Sequence, residues 1–469
     1  MIMDKEKYTD QEKEQIFVER TKNKYPEVWN HYTSHIAHEL MTEQELDQYN
    51  FSKRVEIVKY AYENTSFYKE LYDKAGFHPS QLKTEMDWNR IPTIDKQMVR
   101  ENFSQMLVGG INGELVKKYG KVCNTGGSTG EPLSLIRDTR YDQPGSIIWR
   151  SRGWWLGRPL GNLFGPRPIL GQNEGFIWRM NGLSVKDESK RLSEKKAYWP
   201  MQRFYLDAQN MTTEAMLEFA RDIDRNGVTY LRGYAGALVE FAQFCIENGI
   251  SCYPKICSVV SNPIDAIGRR IIQEGLHCDA FDVYGSNECQ NMAHECAQSE
   301  HNLHVLSDLR HLEILDEQQQ PIEDESEGVV YITSFTNFIM PLIRYRQGDR
   351  TNWIKKTCKC GLPFPLIHRI KGRESNWLVD KNGQKVFAVT SPFFDVPNFI
   401  NGYQYVVHAP GKVTIKINPN KKNPDFEKGI EYIKDSYSKQ YGNRFDFTYE
   451  IVDSIPHDDG KLRIIVFEK

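Results

Sequence analysis

Residues 124–132 read NTGGSTGEP, running from Asn124 to Pro132. Gly126, Gly127 and Gly130 open backbone conformations that side chains forbid. The hydroxyls of Thr125, Ser128 and Thr129 can join backbone N–H groups to line a concavity that suits an anion. A phosphate loop of the Walker type would continue with Lys and Ser/Thr after its last glycine, whereas Glu131 and Pro132 follow Gly130 here. The stretch therefore reads as a phosphate grip of another kind or as a surface turn. The rest of the chain has to decide.

With 469 residues there is room for two or three domains. Lys and Arg number 60 against 63 Asp and Glu, a balance that gives no reason to expect a nucleic-acid partner. The polar start MIMDKEKYTDQEKEQ and the lack of an apolar run of about 18 residues argue against export or membrane insertion and for a cytoplasmic protein. In such a setting the nine cysteines are expected to be reduced.

Helical periodicity begins at VEIVKYAYENTSFYKELYDKAG, with Val55, Val58 and Tyr62 on one face and Gly76 as its end. It returns in TTEAMLEFARDIDRNG, GALVEFAQFCIENG and PIDAIGRRIIQEG, each of which is expected to stop at its glycine, Gly227, Gly249 and Gly275. Short apolar stretches such as AFDVYG and GVVYITS read as strands between or after them, so the body of the chain is α/β in layers. From about residue 375 the pattern changes. YQYVVHAPGKVTIKINP reads as a hairpin turning at Pro410-Gly411, DFEKGIEYIKDSYSKQYG as a helix, and FDFTYEIV and LRIIVFEK as strands. That is a separate, smaller α+β unit.

Downstream of the glycine loop four more stretches follow in order: VYGSNE (Val283–Glu288), PLIRYRQGD (Pro341–Asp349), RIKGRE (Arg369–Glu374) and IPHDDGKLR (Ile455–Arg463). Singly each is weak; together, and in this order, they resemble the motifs of the adenylate-forming superfamily of acyl-CoA synthetases, adenylation domains and luciferases. The stretches NTSFYKELYDKAGF, IPTIDKQMVRENF, RGYAGALVEFAQF and CKCGLPFPLIHRIKGR point to its phenylacetate–CoA ligase-like branch, including members from capsular polysaccharide biosynthesis. The resemblance runs from roughly residue 55 to the end.

It implies a large N-terminal α/β domain (1–373) and a small mobile C-terminal α+β domain (374–469). It also implies a reaction: a carboxylic acid and ATP, with Mg2+, give an acyl-adenylate and pyrophosphate, and a thiol or amine then takes the acyl group. CoA is the first acceptor to expect; an amine, giving an amide, is the second. The other outcome in the branch is an adenylyltransferase that leaves AMP on its target. Repulsion between the carboxylate and the α-phosphate makes preorganised donors and cations the chemical need of such a site. By resemblance Thr125, Gly126, Gly127, Ser128, Thr129 and Gly130 hold phosphates, and Tyr284 and Gly285 line the adenine. Ser286 and Asn287 belong to the same nucleotide-binding turn, with Asn287 standing where Thr or Ser is usual. Glu288 takes the Mg2+, Asp349 and Arg373 fix the ribose, and Lys461 is the catalytic cation. Ser375 occupies the hinge position, where an acidic residue is common. The substrate pocket is expected within residues 140–240, whose aromatic residues include Trp149, Trp154, Trp155 and Tyr234.

Cys358-Lys359-Cys360 can supply two thiolates to one ion, and a distant Cys with a His would complete four tetrahedral ligands. Spacing offers Cys296 with His294, His301 or His304, and equally admits ordinary thiols and histidines. Branch relatives carry zinc on comparable cysteines, which implies a structural zinc on Cys296, His304, Cys358 and Cys360, with His301 the alternative to His304.

Overall fold

A computed structural model of the chain describes residues 9–24, 26–124, 133–140, 173–178, 202–373, 378–386, 399–455, 457–458, 461–462 and 464–468. Two compact units emerge: residues 1–17, 169–282 and 376–469 form one, and residues 18–168 and 283–375 form the other. The segment beginning at Asn376 is thus grouped with residues 169–282.

In the first unit five parallel strands lie in the order Arg203–Asp207, Glu174–Trp178, Tyr230–Tyr234, Ile256–Val260 and Ala280–Asp282, the last being the start of a longer strand. The helices Thr213–Asn226, Ala235–Asn248 and Ala266–Leu276 bury Phe219, Ile223, Leu238, Phe241, Ile267 and Ile271 in the same apolar cluster as Ile177, Leu231 and Val259 of the strands. Gly227 and Gly249 do end the first two helices, each in the left-handed conformation that glycine adopts without strain. Gly275 does not end the third. The helix continues to Leu276, and it is His277 that takes the left-handed position. A side chain at Gly275 would collide with the backbone of Ala242, so glycine is there to let two helices touch.

The C-terminal part of this unit is a four-stranded sheet ordered Asp446–Ile451, Lys412–Pro419, Ile400–Ala409 and Ile465–Phe467. The helix Phe426–Tyr441 buries Ile433 and Tyr437 in its core. The hairpin turns at Pro410-Gly411 as the sequence indicates, with Gly411 at φ +74°. Arg270, from the helix Ala266–Leu276, donates to the Asn401 side chain at 3.0 Å and so ties this sheet to the parallel one.

The second unit is antiparallel and helical. One of its sheets runs Trp353–Ile354, Leu366–Ile367, Leu303–Val305, Gln290–Glu295 and Val283–Ser286; another runs Arg310–Leu315, Gly328–Ser334, Tyr345–Thr351 and Gly372–Arg373. The periodic stretch that begins at Val55 is two helices here, Glu43–Asn64 and Ser66–Lys74. Thr65 separates them: its side chain accepts from the Tyr68 N–H at 3.2 Å and donates to the Ala61 carbonyl at 2.8 Å, ending one helix while capping the next. Among the described helices none is long and apolar enough to cross a membrane.

Candidate functional site

The strand that carries VYGSNE turns sharply. Ser286 pairs with Gln290, leaving Asn287, Glu288 and Cys289 as the turn, and Gln290 has φ +55°. A Cβ on Gly285 would lie 2.5 Å from the Gln290 carbonyl oxygen, so only glycine permits this closure. Cys289 donates its N–H to the Ser286 hydroxyl at 3.2 Å, which fixes the turn from inside. Gly285 and Asn287 are exposed and Glu288 is half-buried, whereas Tyr284 and Cys289 point into the core. Burial pushes the Cys289 thiol up to about 12, so it stays protonated and does not act as a nucleophile.

Asp349 comes to this turn through an irregularity in its own strand. Arg346 lies opposite Tyr331 and Arg350 opposite Val329, so Gln347, Gly348 and Asp349 together face only Val330. The bulge, with Gly348 at φ +79°, re-aims the side chains. Tyr284 donates its hydroxyl to the Asp349 carboxylate at 2.7 Å, and Ser286 donates to the Gln347 side-chain oxygen at 3.2 Å. The Tyr345 hydroxyl stands 3.5 Å from Glu288. Arg373 pairs with Asp349 through the backbone of the adjoining strand. Residues from VYGSNE, PLIRYRQGD and RIKGRE, up to 90 positions apart (283 to 373), therefore meet at one corner.

That corner is anchored by groups for which the sequence suggests no role. Arg344 is buried, with φ +49°; it forms an ion pair with Glu313 at 2.9 Å and donates to the Ile91 carbonyl at 2.6 Å. Tyr68 donates to the Pro341 carbonyl and accepts from the Ile343 N–H, at 3.0 and 3.1 Å. Both fasten PLIRYRQGD to the N-terminal helices. Their sequence signal is slight: a charged residue inside an apolar run, and an aromatic at a helical position.

Of the remaining expected nucleotide residues, Thr125, Gly126, Gly127, Ser128, Thr129 and Gly130 lie outside the described residues, as do Ser375, Trp149, Trp154 and Trp155. The flanks of the glycine loop are described: Gly120–Asn124 and Ser134–Asp138 form an antiparallel hairpin, with Asn124 opposite Ser134, so the loop joins two paired strands. Lys461 lies in the other unit, in a short hairpin with Asp458 opposite it; its side chain and that of Arg373 are not among the described atoms. Tyr234 stacks on Trp178 with ring centroids 4.6 Å apart, at the C-terminal ends of two parallel strands.

At the far end of the strand Gln290–Glu295 the structure brings together Cys296, His304, Cys358 and Cys360. All four are buried, and their ligand atoms lie within 4.8 Å of one another. The Cys296 and Cys358 sulfurs are 3.6 Å apart, and the Cys360 sulfur is 3.3 Å from His304 Nε2. A tetrahedral zinc with bonds of about 2.0–2.3 Å puts its ligand atoms roughly 3.4–3.8 Å apart, so the group fits that ion closely. The other ring nitrogen of His304, Nδ1, donates to the Phe364 carbonyl at 3.0 Å, which leaves Nε2 to face the sulfurs. Burial opposes a charge on His304, but hydrogen bonds to the Cys358 and Cys360 sulfurs overcome it and raise its pKa to about 9. Hydrogen bonds from Cys296 and Cys360 draw Cys358 toward the thiolate. His301, the alternative ligand, instead pairs with Glu295 at 2.6 Å and has a largely exposed side chain.

Residues 378–468 match the family model of the CapK C-terminal domain. The phenylacetate–coenzyme A ligase of Thermus thermophilus is 24% identical over 369 residues, covering 76% of each chain. That of Escherichia coli is 24% identical over 335 residues, covering 70% of this chain and 71% of its own. A crystal structure of 2-hydroxyisobutyryl-CoA ligase in the postadenylation state, in complex with 2-HIB-AMP, superposes with a TM-score of 0.70. It is 17% identical and covers 92% of this chain and 91% of its own. The same ligase with 2-HIB-AMP and CoA, in the thioesterification state, gives 0.56.

Proposed function

We propose, for a chain that belongs to the adenylate-forming ligases and resembles their phenylacetate–CoA ligases, that it joins a small carboxylic acid to the AMP moiety of ATP, releasing pyrophosphate, and passes the acyl group to CoA. The supporting observation is the corner where Tyr284 donates to Asp349 at 2.7 Å beside Arg373, because it joins the three motifs that the chemistry needs around one nucleoside.

In this reading the carboxylate oxygen attacks the α-phosphorus, the bond to the β-phosphate bridging oxygen breaks, and that oxygen leaves with its electron pair. Asp349, held by Tyr284, accepts hydrogen bonds from the ribose hydroxyls. Gly285 and Asn287, exposed beside the buried Tyr284, give the adenine a backbone ledge. Thr125, Ser128 and Thr129 hold the β- and γ-phosphates. Glu288 would hold Mg2+, which would neutralise charge on the leaving pyrophosphate. Lys461 bridges the incoming carboxylate and the α-phosphate and so lowers their repulsion. Cys296, His304, Cys358 and Cys360 would hold a zinc whose four protein ligands leave no position for catalysis. CoA stands first as acceptor because the relatives above are CoA ligases. An amine acceptor stands second, on the sequence resemblance to branch members from capsular polysaccharide biosynthesis.

The test is pyrophosphate release from ATP and Mg2+ across aryl, fatty, hydroxy and amino acids, followed by CoA and amines as acceptors. Release dependent on one class of acid supports the reading. Transfer of AMP to a protein or larger target, with no acid-dependent release, would replace it with adenylyl transfer.

A further inference from the structure

A second group of metal-ligating side chains lies in the unit of residues 18–168 and 283–375, apart from the cysteine cluster. We infer that His35, His38 and Asp308 form a binding site for one divalent transition-metal ion of the zinc class. The three are 4%, 5% and 0% exposed, and their ligand atoms lie within 4.8 Å of one another. His35 Nδ1 is 2.8 Å, and His38 Nδ1 3.2 Å, from the same carboxylate oxygen of Asp308. Two imidazoles thus aim the same ring atom at one point from neighbouring turns, His35 at the end of the helix Pro26–Ala37 and His38 at the start of the short turn that follows.

The separations suit an ion. Bonds of about 2.1 Å place neighbouring ligands roughly 3.0 Å apart at right angles and about 3.4 Å apart at the tetrahedral angle, so these distances need little adjustment. The rings are already held: His35 and His38 meet edge to face at 5.0 Å, and Tyr49 lies 4.3 Å from His38. The loop that bears Asp308 is held too, since Asn50 donates to the Ser307 and Arg310 carbonyls at 2.6 and 2.9 Å. Rotamer order of this kind lowers the cost of assembling ligands. Two imidazole nitrogens with one carboxylate favour zinc, cobalt or nickel over magnesium or calcium, which take oxygen ligands. Both imidazoles bind through an unprotonated Nδ1 and keep their proton on Nε2. A bound ion would join the N-terminal helix to the turn after the strand Leu303–Val305, which no backbone pairing in that region does among the described residues.

The experiment is a Co2+ titration of the full-length, metal-stripped chain, followed by absorption and by metal analysis after gel filtration. Wild type should take up two equivalents: one with an intense near-ultraviolet thiolate charge-transfer band, the other with weaker visible bands alone. Asp308→Asn should lose only the second, and the Cys358→Ser/Cys360→Ser double variant only the first. Saturation of wild type at one equivalent that carries the thiolate band, or the weaker visible bands retained by Asp308→Asn, would overturn the site and leave a hydrogen-bonded His–Asp–His cluster. Should Asp308→Asn fail to fold, the wild-type stoichiometry and its two spectral signatures still decide.

Discussion

The strand Gln290–Glu295 has a candidate site at each end, and the two differ in how they meet solvent. At its start Asn287 is exposed and Glu288 half-buried, beside two hydrogen-bonded pairs set deeper, Tyr284 with Asp349 and Ser286 with Gln347. At its finish Cys296 meets His304, Cys358 and Cys360 in full burial. Donors and acceptors that adjoin an exposed turn can exchange partners with a ligand. A buried set of three thiols and an imidazole is poor at that and good at fastening, because four protein ligands would leave an ion no open position. One strand therefore connects a turn that opens to solvent to a cluster that is closed from it.

The difference can be broken or sharpened by experiment, beginning with the largest effect. Stripping metal from the cysteine cluster should lower stability by about 4 kcal/mol when free zinc stood about a thousandfold above its Kd; thermal melts with and without chelator measure it, and ATP affinity of the surviving folded fraction should stay the same. Lys461→Ala should slow pyrophosphate release about 10²–10³-fold with the melting temperature unchanged. Asp349→Ala should raise the KM for ATP roughly 10- to 100-fold, the cost of hydrogen bonds to a charged acceptor. Wild type should also discriminate against 2′-deoxy-ATP, and the Asp349 variant should not. Tyr284→Phe removes one hydrogen bond and should raise the KM about 5-fold, as about 1 kcal/mol implies.

The smallest effect concerns pH. In metal-free protein the pKa of His304 is raised from 6.5 to about 9 by the neighbouring sulfurs. Its cationic form therefore contributes stability that is fully present below 6.5 and is lost as pH rises through about 9. Melts between pH 8 and 10, with and without zinc, would show a decline in the metal-free chain and a weaker one in the loaded chain, whose ligand imidazole carries no such proton.

How legible this was in the sequence depended on how far apart the cooperating residues lie. Helix ends set by local chemistry, at Gly227 and Gly249, follow from spacing and the left-handed conformation alone. Gly275 has the same sequence signature but answers a contact with Ala242, 33 positions away (275 − 242), which no local pattern reveals. Thr65 hides a helix break because apolar periodicity continues on both sides of it. The cysteine cluster could be anticipated because Cys358 and Cys360 are near neighbours and because a family resemblance chose among the histidines. The choice of His304 over His301 follows in the structure from the strand Leu303–Val305, which turns His304 inward. Tyr284 and Asp349 were named through the resemblance, but the bulge at 347–349 that lets them touch was not visible. His35, His38 and Asp308 left no signal beyond a His-x-x-His spacing, since their partner lies 270 residues from His38.

Equilibrium ATP binding, compared across wild type, Asp349→Ala and the Cys358→Ser/Cys360→Ser variant, tests the account most directly. It predicts binding weakened at least 10-fold by the first change and unaltered in the folded fraction of the second. Equal affinity in wild type and Asp349→Ala would contradict the assignment of the Tyr284–Asp349 corner to the nucleotide, and with it the division of labour between the two ends of the strand.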